Sequence, residues 1–395
     1  GGSTTLYSNS TTSINGAFGL TGALTVAGGT TTLNPTDASV SLATVNSNSG
    51  TLSVAKPLTV NTFNATNTVN ASANINVANT LNWTGATLAG AGTFTLNSGA
   101  TGTLTSGSLL GKTFINNGTL NFNTGSYLAF DGTNPTLENN GTFNWNTAGT
   151  IEYICCSASG AMINNYGIFN FSSSGSTYNE VPVNNSGGTF NVTANTLDQF
   201  AAFTQAGTLT ISPSATFRSG AGLTNSGSVT GGGTLNINGG TNTFNNGSSV
   251  NVGVLVFGAG TSTFNSGSTL NFDVPVTNSG GTTTFNTGTA KTNTGTVTMS
   301  GGTLNGSDNF AFNNFTWSSG TIGGADGAAR PGEVVEGEIV RPVERAAAQI
   351  GPVAQGNLGC ARRATHCDGA GGGHGRSIGA ADGAARPGEV VEGEI

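Results

Sequence analysis

Five acidic residues, Asp131, Glu138, Glu152, Glu180 and Asp198, form the one local concentration of carboxylates in residues 1–323. Paired carboxylates are the machinery of glycosidic-bond cleavage, with one group protonating the leaving oxygen while the other, ~5 to 9.5 Å away, serves as nucleophile or base. Successive turns of a repeating fold could bring two of them to that distance. Yet eight acids scattered over 323 residues make some neighbours by chance, no histidine occurs among them, and no nearby arginine is expected to join them. The chain therefore reads as non-enzymatic. No catalytic, cofactor-binding or metal-binding residue is assigned.

The other candidate chemistries weaken in the same way. "GSLLGKT" at 107–113 imitates a phosphate-binding loop, but Ser106 stands where that motif needs its first glycine. Directly after it the chain reads as a strand, "FINNGTLNF", and not as a helix whose N-terminus would face phosphate. Trp83, Trp145 and Trp317 could be sugar-stacking platforms. Leu81-x-Trp83, Phe143-x-Trp145 and Phe315-x-Trp317 fill the slot of Leu120-x-Phe122, however, and that slot is expected to face a core. Cys155-Cys156 is a vicinal pair, which bridges only under strain, so one is expected inward and one outward on a strand. Threonine-rich runs such as "TTTFNTGTA" (282–290) raise ice binding, but their spacing is too irregular to promise a flat array. Asn9, Asn64, Asn117, Asn140 and Asn305 begin Asn-x-Ser/Thr triplets, which an Asn/Thr-rich chain produces by chance.

The elements that would position any of these residues are repeats. "INNGTLNF" (115–122) returns as "ENNGTFNW" (138–145), "INNYGIFNF" (163–171) and "VNNSGGTFNV" (183–192). Aligning on glycine places equivalents at Gly92, Gly118, Gly141, Gly167, Gly188, Gly207 and Gly233, spaced by 26, 23, 26, 21, 19 and 26 residues. After each one the chain alternates apolar and polar, the mark of a strand with one buried face. Asn/Gly clusters between strands mark turns. Units this short that lack a leucine-rich consensus predict an all-β right-handed parallel β-helix, whose coils bury alternate side chains in a continuous core. About fifteen coils at ~4.8 Å give a rod on the order of 70 Å. Asn117 and Asn140 could stack as an amide ladder, and each end of the coil needs a cap, none of which is recognisable.

Composition excludes several partners. Only 7% of the 395 residues are charged and the net charge is −7. Four basic residues in the body, Lys56, Lys112, Arg218 and Lys291, cannot make the stripe that nucleic acid or an anionic membrane surface would need. No apolar run reaches the ~18 residues of a spanning helix, and the start "GGSTTLYSNS" lacks a signal-peptide core, so the sequence reads as an internal fragment.

"LNWTGATLAGAGTFTL" (81–96) and the "NNGTLNF" elements resemble the passenger region of bacterial autotransporter and filamentous-haemagglutinin-type surface proteins. The resemblance covers about residues 1–323. It implies a parallel β-helix adhesin or structural stalk on the bacterial outer surface, with a host-cell, matrix or surface glycan or protein as partner and possible self-association through the solenoid ends. A polysaccharide lyase or hydrolase on the same fold is the alternative, and ice binding a minor one.

Residues 324–395 are a different polypeptide, rich in Ala, Gly, Arg, Glu and Pro. "IGGADGAARPGEVVEGEI" (322–339) recurs at 378–395 with one change. This region reads as a frameshift or assembly product or as a disordered linker; sequencing the source DNA across codons 320–330 separates the two. Cys360, His366, Cys367 and His374 fall in it at a spacing that fits no common zinc finger.

Overall fold

The structure of the protein, a computed structural model, describes residues 2–7, 10–154, 159–324, 327–329 and 339–340. All of these belong to one compact unit, Gly1–Ala348, and a second unit, Gln349–Ile395, contains none of them. The described residues hold strands and turns without a helix. They form a parallel β-solenoid of about 16 coils.

Each coil contributes to three strand columns, or faces. The first face runs through Phe94–Leu96, Thr113–Asn116, Thr136–Asn139 and Met162–Asn165. The second runs through Thr119–Phe122, Thr142–Trp145, Ile168–Phe171 and Thr189–Val192. The third runs through Tyr127–Asp131, Thr150–Tyr153, Thr177–Asn179 and Thr196–Gln199. Every neighbouring pair within these runs is parallel, so each backbone finds its hydrogen-bond partners in the coils before and after. Period-2 alternation then sends every second side chain inward. Leu120, Phe122, Phe143, Trp145, Phe169, Phe171, Phe190 and Val192 form one continuous stack with essentially no exposure. Within it Phe169 and Phe190 lie parallel with centroids 4.5 Å apart.

Between the first and second faces the chain turns at a stacked glycine. A Cβ on Gly141 would lie 2.1 Å from the carbonyl oxygen of Gly118, and the same contact repeats from Gly167 to Gly141 and from Gly207 to Gly188. Only hydrogen fits there. The stack corrects the outer ends of the alignment read from sequence. Gly227 sits on Gly207, whereas Gly92 and Gly233 lie at other corners, against Ala73 and Ser212. Accordingly Phe94–Leu96 belongs to the first face and Leu235–Ile237 to the third. Trp317 also pairs on the third face, with Met299, so it does not share the slot of Trp83 and Trp145.

The last coil carries short antiparallel strands. Gly327–Ala329 pairs with 322–324, and Ile339–Val340 pairs with 310–311. The sequence shows no cap; these strands occupy part of the edge where one is needed.

Two amide ladders link the coils. Inside the solenoid, on the first face, Asn116 donates to Asn139, Asn139 to Asn165, Asn165 to Asn185 and Asn185 to Gln205, each at 2.7 Å. Each also donates to a main-chain carbonyl, as Asn139 does to Ile168 at 2.9 Å. The expected pair Asn117 and Asn140 does bond, at 3.0 Å, but on the exposed side. On the outside of the second face, Asn144, Asn170 and Asn191 each bond to the preceding asparagine at 2.8 Å.

Candidate functional site

Register decides which of the five acids meet. Glu138 faces out from the first face, where its carboxylate accepts from Asn140 at 2.9 Å. Asp131 closes a turn by accepting from the amide of Gly132 at 2.7 Å. Glu138 thus lies on a different face from the other three, whereas Asp131 ends the third-face strand whose Ala129 pairs with Glu152, one coil away and two residues along. Glu152, Glu180 and Asp198 all lie on the outer side of the third face, over three successive coils.

Ile151 pairs with Asn179, which places Glu152 beside Glu180, one strand spacing (~4.8 Å) away along the axis. In the neighbouring rank Tyr127 pairs with Thr150, Tyr178 with Asp198, and Asp198 with Arg218. Arg218 grips Asp198 through both Nε and Nη2, a two-pronged ion pair. This corrects the expectation that no arginine joins the acids. Twenty residues separate the two in sequence, which is one coil, so linear distance hid a direct contact.

The carboxylate of Glu152 accepts from the Thr150 hydroxyl at 2.8 Å and from the Tyr178 phenol at 3.4 Å. Among the described residues neither Glu152 nor Glu180 pairs with a basic side chain. Their charge is felt nearby. Partial burial and then the charges of Glu152 and Glu180 push the Tyr178 phenol above its ordinary value, and burial followed by Glu180 does the same to Tyr153. Phe200 completes the patch. It is 49% exposed, unusual for a phenylalanine, and its ring lies 5.7 Å from that of Tyr178, tilted by 40°.

The remaining candidates resolve differently. Trp83 and Trp145 are buried, with indole N–H groups donating to Ala86 and Gly149 carbonyls at 2.8 and 3.0 Å, and they cannot be platforms. Trp317 is partly buried against the core. The "GSLLGKT" stretch lies on strands: Gly107 to Leu110 on the third face and Thr113 on the first. Its Lys112 is buried, 1% exposed, and donates to the Ala71 carbonyl at 2.9 Å, so it faces no phosphate. Cys155 and Cys156, like Cys360, His366, Cys367 and His374, lie outside the described residues.

Irregular spacing in sequence does not carry over into space. On the outside of the second face Thr44, Thr62, Thr80, Thr101, Thr119 and Thr142 stand in one file, parallel to the asparagine file. Turns of different length absorb the variation, so threonines unevenly spaced in sequence stand in register along the axis.

No family model, curated protein or solved structure matches the chain.

Proposed function

We propose that this chain is a non-enzymatic bacterial surface protein in which the solenoid is a stalk and the third-face patch is its adhesive element. One observation carries the reading: Glu152, Glu180, Tyr178 and Phe200 come together on an outer surface otherwise dominated by Thr, Ser and Asn. Hydroxyl and amide side chains tied into ladders use much of their hydrogen-bonding capacity on each other. The exposed ring of Phe200, beside half-buried Tyr178 and two carboxylates with no cationic partner among the described residues, offers apolar area and negative charge together, and aromatic residues are enriched where proteins bind. An extracellular location and a host-cell, matrix or surface glycan or protein as partner belong to the same proposal, in keeping with the resemblance of the repeats to secreted passenger domains. The test is adhesion of beads coated with the protein to host cells and matrix. Loss of adhesion on combining Tyr178→Ser with Phe200→Ser, in a variant of unchanged circular dichroism, is expected; undiminished adhesion would remove the patch from its role.

A second reading has a specific observation behind it. Glu152 and Glu180 lie on adjacent coils at a backbone spacing of ~4.8 Å, and retaining glycosidases hold their two carboxyl groups ~5 to 5.5 Å apart. Polysaccharide cleavage abolished by Glu152→Gln or Glu180→Gln would establish the enzyme and displace the stalk. Ice binding rests on the threonine and asparagine files. Retarded ice recrystallisation, lost on Thr119→Lys, would establish it.

A further inference from the structure

We propose that the third-face patch binds a glycan carrying free amino groups, gripping its ammonium ions between Glu152 and Glu180 while its sugar rings lie on Tyr178 and Phe200. The proposal rests on the reading of the patch as the adhesive element and names its ligand.

Charge gives the first argument. Asp198 is neutralised by Arg218, which leaves Glu152 and Glu180 as two adjacent carboxylates with no cation beside them among the described residues. Burial first and then the charges of these carboxylates raise the phenols of Tyr153, through Glu180, and of Tyr178, through both. A neutral sugar leaves that negative charge uncompensated and an acidic one is repelled by it. An ammonium group is complementary to it, and an aromatic face beside the carboxylates adds a cation–π attraction.

Shape gives the second. The patch is an open strand surface, with ranks two residues (~6.6 Å) apart and coils ~4.8 Å apart. Such a surface offers no cage for a single isolated cation. It suits a linear polymer lying along the coil axis and presenting charges at intervals. The apolar faces of sugar rings need flat apolar partners, and the tilted pair of Tyr178 and Phe200, with Phe200 half exposed, supplies them. A flexible oligolysine has the charge without the flat faces.

The test uses the full chain and three probes at mildly acidic pH: a glucosamine tetramer, its fully N-acetylated counterpart, and tetralysine. The amino tetramer is expected to bind, more weakly as salt is raised, and the acetylated one to bind at least about tenfold less tightly. Combining Glu152→Gln with Glu180→Gln should remove that preference, and Phe200→Ala should weaken the amino tetramer about threefold or more. Equal binding of the two sugars, lost on Phe200→Ala, would overturn the ammonium inference and leave the adhesive patch standing. Amino-tetramer binding untouched by all three substitutions would overturn both. Tetralysine binding as tightly as the amino tetramer, insensitive to Phe200→Ala, would overturn the glycan. Unchanged circular dichroism and melting temperature are required of each variant, and if Phe200→Ala unfolds, Phe200→Tyr, expected to retain binding, replaces it.

Discussion

Asn116 and Asn139, one coil apart, join their side-chain amides at 2.7 Å in the solenoid interior, where neither has measurable exposure. A buried amide costs free energy unless its donors and acceptor are met, and the register meets nearly all of them. The exception is the carbonyl oxygen of Asn116, at the start of the ladder, which has no partner because the preceding coil holds Leu96 in that slot.

Replacing Asn139 by Leu should destabilise the protein by about 2 to 4 kcal/mol. It strands a donor of Asn116, the acceptor of Asn165 and the carbonyl of Ile168 together. Asn144→Leu, in the outer ladder where water can replace the lost bonds, should cost well under about 1 kcal/mol. Urea midpoints compare the two, and equal losses would show that burial of the ladder does not matter.

Gly141→Ala should be among the most damaging small substitutions, at about 3 kcal/mol or more, because the added methyl meets the Gly118 carbonyl at 2.1 Å and backbone must move. Gly187→Ala, where the methyl enters open space, should be neutral or slightly stabilising. Thermal melts of the pair decide it, and similar melting temperatures would contradict the stacked corner.

Burial pulls the Lys112 amine down from 10.5 to about 8. Between those values the unfolded chain keeps a proton that the folded chain has released, so stability from this group rises with pH, by up to about 1.4 kcal/mol per unit. Below pH 8 the folded state holds a poorly solvated cation. Lys112→Met should therefore stabilise at neutral pH, and its advantage should shrink as pH climbs from 8 toward 10.5. An advantage independent of pH would place the amine in water.

Asp308 and Lys291 form a buried ion pair at 3.3 Å. Burial alone would raise the Asp308 carboxyl, but donation from Thr287 and Gly288 and the charge of Lys291 hold it below 3.8. Its contribution is complete above the unfolded value and disappears as pH falls through the folded one. Asp308→Asn leaves the Lys291 charge unpaired and should cost about 3 to 5 kcal/mol, with much of it recovered by adding Lys291→Met. Amide exchange in 282–306, fast in the single variant and slow in the double, is the measurement. Slow exchange in both would mean the pair carries little.

The middle of the solenoid was legible in the sequence because the "NNG" corner marks the start of each second-face strand, and alternation then fixes which residues are inside. Leu120, Phe122, Trp145 and Ile211 follow from that alone. The ends of the alignment slipped because Gly92 and Gly233 precede apolar–polar triplets identical in pattern to the others, and pattern does not say which of three faces a strand joins. The buried ladder was missed by one residue: two consecutive asparagines point opposite ways, and only the pairing of Asn116 with Asn139 shows which is inside. The Asp198–Arg218 contact was hidden because contact along the axis recurs at one coil length, and that length varies. In Asn/Thr-rich sequence no side chain announces it.

Gly118 to Gly207 advance by 23, 26, 21 and 19 residues per coil, and each coil is held mainly by the next. Drawn from its ends, such a thread need not come apart all at once. It can pay out one loop at a time, each releasing roughly 65 to 90 Å of slack, so a solenoid built this way lengthens under load in discrete steps whose sizes follow the lengths of its coils.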